Sequence, residues 1–183
     1  MIAKNQICSR LRDSLLISAA VAVLIWTAPV LAGPTFGMSR PMANVQADLG
    51  KLLDCQWQGS DLYAVCSTKQ IDGTVDLSRD PADKSIETVE MIALVAGYPQ
   101  RRPAAEKSNQ STVLRIVAYL LPAWKNSPEW LTDALDAAAH GRARRVTKIG
   151  DLTVLVQRQK FADLDDIFAT IVITKKTSLN DWK

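Results

Sequence analysis

The strongest constraint on the fold of this 183-residue chain is a pair of cysteines, Cys55 and Cys66, that enclose a turn-forming stretch. Apolar residues recur at nearly every other position on either side of Gly59, a pattern typical of a β-hairpin. If the hairpin is centred on Ser60 and Asp61, Cys55 lies directly opposite Cys66 and a disulfide can join the two strands. A turn at Gly59-Ser60 would shift the register by one step and separate the sulfurs.

The chemical state of these cysteines depends on the compartment, because disulfides persist outside the cytoplasm and are rare within it. A structural zinc site requires four nitrogen or sulfur ligands, whereas the sequence beyond residue 32 supplies only Cys55, Cys66 and His140. Redox-active pairs typically have C-x-x-C spacing, which is absent here. We therefore expect a structural disulfide, with reactive cysteines or buried thiols as the alternatives, and we predict no metal or other cofactor.

The first residues of the chain have the composition of a secretory signal peptide. A basic segment precedes the uncharged core Leu15–Ile25, whose eleven residues fall within the length range of such signals. Small residues then occupy the positions that a signal peptidase requires, so we expect cleavage after Ala32 and a mature chain that begins at Gly33. The alternative is an uncleaved membrane anchor, because the nineteen residues from Leu15 to Gly33 carry no charge.

Removal of residues 1–32 changes the charge of the chain. This leader holds three of the 22 basic and one of the 19 acidic residues, so 19 and 18 remain and the net charge falls from +3 to +1. The charge footprint of a nucleic-acid-binding protein is therefore not expected. The remaining 151 residues, 33–183, suit a single domain.

Apolar residues at steps of three and four predict four amphipathic helices. The second of them begins at Asp80-Pro81, because aspartate caps helices and proline suits the first turn, and it ends at Gly97. The polar stretch after this glycine is expected to be a surface loop. The four predicted helices cover residues 42–52, 80–97, 111–121 and 127–140.

The end of the chain is strand-like. The sequence RRVTKIGDLTVLVQRQ holds two β-rich runs joined at Gly150-Asp151, and IFATIVITKK supplies a third after an acidic turn. Three adjacent strands with short connections predict an antiparallel meander. With the disulfide hairpin and the helices, the fold class is α+β, in which an antiparallel sheet packs against about four helices.

Four basic residues precede and open this meander, and they form the one surface to which the sequence assigns a candidate role. An extended strand places alternate residues on opposite sides, so Arg145 points away from the other three. The cluster is either an edge strand charged against aggregation or a docking patch for an acidic protein, a polysaccharide or membrane headgroups. Its members are Arg142, Arg144, Arg145 and Lys148.

Catalytic patterns are weak. His140 stands at a predicted helix C-terminus, where imidazole commonly caps carbonyl groups, and no G-x-S-x-G turn accompanies it. Glu87 and Glu90 would share one helix without a visible acidic partner. The acids at positions 163, 165 and 166 do not complete a calcium loop and are expected to form a solvated turn.

The sequence therefore favours an exported, periplasmic or extracellular protein that binds a macromolecule and is not an enzyme. Two other classes stay open. A small secreted or periplasmic hydrolase would need carboxylates that converge only in the fold and hold raised pKa values. A membrane-tethered subunit of an envelope complex would retain Leu15–Gly33 as its anchor.

Overall fold

In the computed structural model of the protein, the described residues are 37–97, 103–141, 144–161 and 164–176. The predicted leader, its cleavage position and Arg142 lie outside them. The elements in these ranges are α1 (Met42–Leu53), β1 (Gln58–Gly59), β2 (Tyr63–Thr68), β3 (Gly73–Arg79), β4 (Ile86–Ala96), α2 (Pro103–Leu120), α3 (Ser127–Ala139), β5 (Arg144–Ile149), β6 (Leu152–Lys160) and β7 (Ile167–Thr174). The strands form one antiparallel sheet in the order β1-β2-β3-β4-β7-β6-β5. The predicted α+β class and antiparallel sheet are confirmed. The described ranges hold three helices where about four were predicted, and one seven-stranded sheet where a hairpin and a three-stranded meander were predicted.

The sheet is built from two similar halves. In each half a helix precedes a three-stranded meander, β2-β3-β4 after α1 and β5-β6-β7 after α3. The last strands of the two meanders, β4 and β7, pair antiparallel at the centre of the sheet, where Met91 lies opposite Ile171. This arrangement joins the two meanders into one sheet whose edges are β1 and β5.

One face of the sheet and the three helices share a single hydrophobic core. The helices contribute the residues spaced by three and four, such as Val45, Leu49 and Leu131, all fully buried. The strands contribute alternate residues, which lie opposite each other from strand to strand because the side-chain period is two. These strand residues are Cys66, Val75, Leu77, Val89, Met91, Ile171, Ile173, Val154 and Val156. We call the opposite side of the sheet the second face.

The prediction of a helix over residues 80–97 is wrong, because this segment contains the central strand β4. Asp80 does cap a turn, since its Oδ1 accepts from the Ala82 N–H at 2.8 Å, but the turn leads into a strand. β4 lies between β3 and β7, and Thr88 and Val89 are both buried although they point to opposite faces. Burial on both faces removes the period-two alternation, and the remaining apolar spacing resembles that of a helix.

The predicted loop after Gly97 is also partly wrong, because α2 begins at Pro103. Proline at this position suits a first helical turn. Two polar residues near the start of α2 form hydrogen bonds to β4 or to the residue that follows it. Glu106 Oε1 accepts from the Gly97 N–H at 2.9 Å. Asn109 is only 2% exposed, and its Nδ2 donates to Leu94 O at 3.2 Å. Glu106 and Asn109, which the sequence assigns to a polar surface loop, therefore make contacts between a helix and a strand.

The cysteine hairpin forms with a register other than the predicted one. β1 comprises only Gln58 and Gly59, and Gln58 lies opposite Val65. Cys55 is therefore outside the ladder, whereas the prediction placed it directly opposite Cys66. Gly59 explains the change, because it adopts φ +134° and a Cβ there would approach Tyr63 O to 2.3 Å.

The disulfide itself is present. It joins Cys55 to Cys66 with a Cα–Cα distance of 6.1 Å, so it crosses from the segment after α1 to β2. Trp57 fastens the same segment, since its indole N–H donates to Gln46 O at 2.8 Å. The link holds the end of α1 against the first meander.

None of the helices within the described ranges is long and apolar enough to cross a membrane. The segment Leu15–Gly33, which the sequence offers as a possible anchor, lies outside those ranges.

Candidate functional site

The predicted basic strand is β5, which forms one edge of the sheet and pairs only with β6 among the described strands. Arg144 lies opposite Gln157 and Lys148 lies opposite Thr153, so both basic side chains belong to the second face. Both are exposed. Val146 lies between them and is 45% exposed. We call these three residues the β5 margin.

Arg145 lies on the helix side of the sheet, as the alternation predicts. It lines a cavity of about 470 Å³ together with Asp133, Asp136 and His140. Asp133 and Asp136, both on α3, thus line the same cavity as Arg145. The positive surface of β5 is therefore confined to Arg144 and Lys148, and Arg145 does not contribute to it.

The centre of the second face is apolar and rich in hydroxyl groups. Leu155 and Val172 lie opposite each other on β6 and β7, and both are fully buried. Next to them, Thr88 and Thr174 form a cross-strand hydrogen bond of 2.8 Å between their Oγ1 atoms. These residues separate the β5 margin from the other charged part of the second face.

That other part is a carboxylate pair, which the sequence analysis did not find. Asp76 on β3 lies directly opposite Glu90 on β4, and Tyr63 on β2 donates its hydroxyl to Asp76 Oδ2 at 2.8 Å. The predicted placement of Glu87 and Glu90 on one helix is wrong, since both residues belong to β4. Alternation around Val75 and Leu77 could have placed Asp76 opposite the core, but only the β3–β4 register identifies its partner.

Burial determines the protonation of this pair. Desolvation raises the pKa of Asp76, although the hydrogen bond from Tyr63 opposes the increase. Desolvation also raises the pKa of Glu90, and the negative charge of Asp76 adds to the effect. The pKa of Tyr63 is raised to about 12, mainly by desolvation and further by its hydrogen bond to Asp76. The pair therefore holds protons more tightly than free carboxyl groups do.

The second face is thus polarised in charge. The acidic pair lies on β3 and β4 and the basic margin on β5, with β7 and β6 between them. Strands in a sheet are spaced by about 4.8 Å, so β4 and β5 are about 14 Å apart.

The remaining candidates from the sequence are His140 and the acidic residues at positions 163, 165 and 166. His140 is exposed at the end of α3, and its Nδ1 lies 2.8 Å from Asp136 O, in agreement with a capping role. Asp166 is buried and Asp165 is exposed, while residue 163 lies outside the described ranges. Within those ranges, groups of three or more histidine, cysteine, aspartate or glutamate residues that could hold a metal ion do not occur.

Comparisons of this chain with protein-family models, with curated proteins and with solved structures gave no match.

Proposed function

We propose that the protein is an exported, non-enzymatic binding protein of the cell envelope or extracellular space that docks a partner protein at the β5 margin. The observation that carries this proposal is that β5 is an edge strand with two exposed cations on one face. An edge strand offers its outer N–H and C=O groups to an added strand. The disulfide supports export, because such bonds persist in oxidising compartments.

The partner segment that fits the β5 margin is an extended polypeptide with acidic and apolar residues in alternation. Added to the edge, it would place its acids beside Arg144 and Lys148 and an apolar side chain beside Val146, because residues of one face recur with a period of two. The competing explanation is that the two cations only protect the edge from aggregation. The two explanations differ in whether a complementary strand binds.

A synthetic peptide of alternating glutamate and valine tests this proposal. We expect binding by isothermal titration, with backbone amide shifts confined to β5 and its neighbour. The double variant Arg144→Gln/Lys148→Gln should weaken binding by about tenfold and flatten its dependence on salt, because screened attraction supplies much of the affinity. A control variant, Lys69→Gln/Lys125→Gln, removes two exposed cations elsewhere and should bind as the original chain does.

Equal binding of a lysine–valine peptide, or an unaltered affinity of the double variant, would reduce the β5 margin to edge protection. Binding of a sulfated polysaccharide or of anionic vesicles in place of the peptide would also contradict the proposed partner. Export is tested separately: the N-terminal sequence of the protein recovered outside the cytoplasm should begin at or near Gly33. Recovery of an intact N-terminus from membranes would instead favour the tethered subunit.

One observation favours a second candidate, a small hydrolase. Asp76 and Glu90 are adjacent carboxyl groups with raised pKa values, and the Tyr63 hydroxyl contacts one of them. Such a pair suits general acid catalysis, in which a protonated carboxyl group donates to a leaving group. Hydrolysis of ester, glycoside or peptide substrates that is lost in both Asp76→Asn and Glu90→Gln would replace the binding proposal.

A further inference from the structure

A cavity of about 330 Å³ lies on the helix side of the sheet, far along the chain from the β5 margin. It is bounded by the start of α1, by the β1–β2 hairpin and by the end of β3. Two basic residues line it, Arg79 and Lys84, against one acidic residue, Asp61. The side chains that line the cavity therefore carry a net positive charge, and they come from three separate parts of the chain.

Arg79 is the residue of greatest interest in this cavity. Its Nε is buried, and no described group accepts a hydrogen bond from it. Its backbone is fixed, because its N–H donates to Leu62 O at 2.9 Å and it closes the β3–β4 ladder opposite Ile86. A buried donor without an acceptor destabilises the folded state, and more so when the group is charged. Because Arg79 also lines the cavity, its positive charge can act on a ligand bound there.

The rest of the lining indicates what kind of acceptor fits. Trp57, Met42 and Ala64 contribute apolar surface next to the guanidinium. Trp57 is held in place by its bond to Gln46 O, so its ring is a fixed wall. The start of α1 has neither an acidic residue in its first turn nor a side-chain cap, so its positive end is not compensated by a carboxylate. An anion with an apolar body meets all of these features.

We infer that this cavity binds a carboxylate attached to a small apolar group, with Arg79 as the residue that pairs with the carboxylate. The guanidinium presents its donors in a planar fork that matches a carboxylate in two parallel hydrogen bonds. Lys84 adds a second cation, and Trp57 packs against the apolar group. Two sources offer this chemistry, namely a free carboxylic acid and the C-terminus of a polypeptide. The inference does not depend on the β5 margin, which lies on the other face and at the other edge of the sheet.

N-acetyl-leucine is a suitable probe, and its amide is the matched neutral control. We expect the acid, at concentrations up to about 10 mM, to shift the indole N–H resonance of Trp57 in a ¹⁵N-labelled sample. The amide should leave this resonance in place, because it lacks the charge that Arg79 would bind. A tripeptide that ends in leucine, compared with its C-terminal amide, shows whether a chain terminus is also accepted.

Substitution of the arginine tests its role. Arg79→Gln should weaken binding of the acid by about 10–100-fold, the loss expected for a charge-assisted pair. Arg79→Lys keeps the charge but lacks the planar pair of donors, so it should bind the acid more weakly than the original chain does. This variant keeps the role of the arginine testable if Arg79→Gln fails to fold. Arg115→Gln, on the exposed surface of α2, is the control with one charge fewer and should bind normally.

Three results would overturn the inference. Equal shifts with the acid and the amide would show an apolar contact only. An unchanged affinity in a folded Arg79→Gln or Arg79→Lys would show that the arginine does not pair with the carboxylate. The absence of any Trp57 shift at the highest concentration would show that the cavity does not bind the acid. Binding of the acid without binding of the tripeptide would keep the inference and assign the site to small molecules.

Discussion

Asp76 lies directly opposite Glu90 in the ladder between β3 and β4, so two carboxyl groups face one another across adjacent strands of the second face. Like charges in directly opposed positions destabilise a sheet. Desolvation raises the pKa of both groups, and for Glu90 the negative charge of Asp76 raises the pKa further. Tyr63 offsets part of the increase in the pKa of Asp76 with its hydrogen bond.

The first prediction concerns the pH dependence of stability at this pair. A carboxyl group whose pKa is raised by folding stabilises the folded state below its unfolded pKa, and this contribution is lost as pH rises through the folded pKa. Glu90, with a usual value of 4.5, belongs to this class. We expect Glu90→Gln to increase the free energy of unfolding at neutral pH by about 0.2–1 kcal/mol. The increase should vanish at acid pH.

Urea denaturation between pH 3 and pH 8, measured on both proteins, checks this prediction. Glu129→Gln, an exposed substitution in the first turn of α3, is the control and should show no such increase. A loss of stability in Glu90→Gln at neutral pH would mean that the Glu90 carboxylate has a favourable partner. The pair would then be a structural element of the sheet.

The parts of the fold that the sequence predicted are those governed by local spacing. Val45 and Leu49 reveal α1 because one face of that helix is buried and the other is exposed. The start of α3 was predicted at Ser127, which is its first residue. The residue that caps the helix is Asn126, and it makes no side-chain hydrogen bond there. Each of these signals depends on residues within about two turns of a helix.

The parts that were missed depend on contacts between distant segments. β4 reads as a helix because it lies at the centre of the sheet with buried residues on both of its faces, and its own sequence does not reveal that position. The Asp76–Glu90 pair depends on the β3–β4 register, and the Arg79 cavity on the packing of α1 beside the hairpin. Local periodicity contains none of this information.

The second prediction concerns the contact between α1 and the end of α2. The Tyr119 hydroxyl donates to Asp48 Oδ2 at 2.8 Å, and Arg40 binds the same oxygen at 2.8 Å. The hydrogen bonds from Tyr119 and then Arg40 lower the pKa of Asp48 below its usual value of 3.8. Stabilisation by such a carboxylate is present above the unfolded pKa and is lost as pH falls through the folded pKa.

Tyr119→Phe removes one of the two donors, so the pKa of Asp48 should rise toward its usual value. We expect a decrease in Tm of about 2–4 °C at neutral pH, as for the loss of one hydrogen bond in a domain of this size. The difference should shrink in strong acid, where Asp48 is protonated in both proteins. Thermal melts followed by circular dichroism check this, and an equal Tm at neutral pH would contradict it. Asp133→Asn, at an exposed position of α3, is the control.

The third prediction concerns Gly73, the first residue of β3. A Cβ at this position would lie 1.7 Å from Ile92 O, which belongs to the backbone of the central strand and cannot rotate away. We expect Gly73→Ala to destabilise the protein by about 3 kcal/mol or more, because overpacking forces the backbone to shift. Chemical denaturation measures the effect.

Gly150→Ala is the matched control for this substitution. Gly150 has φ +61° but no atom within 4 Å of an added Cβ, so only the cost of a left-handed backbone applies. That cost is about 1–2 kcal/mol. If Gly150→Ala proves as harmful as Gly73→Ala, the close approach of β3 to β4 is not the reason for the glycine.

The last prediction concerns the disulfide. The bond closes a ring of twelve residues, and on the chain-entropy account a ring of this size stabilises the folded state by about 3 kcal/mol. We expect Cys55→Ala/Cys66→Ala to lose about this amount in denaturation experiments. Non-reducing peptide mapping of the original protein should recover residues 55 and 66 in one linked pair.

The position of the bond indicates what else should change. Cys66 is fully buried in the core, whereas Cys55 lies in the segment that carries Trp57 after the end of α1. Loss of the bond should therefore free that segment before it disturbs β2, and amide exchange should accelerate first at residues 55–59 and at the end of α1. Such local opening would also release Trp57 from its fixed place in the lining of the Arg79 cavity. The Trp57 shift induced by N-acetyl-leucine should therefore weaken in the double alanine variant. Uniform acceleration across the sheet would instead show that the bond stabilises the whole domain and leaves the cavity unaffected.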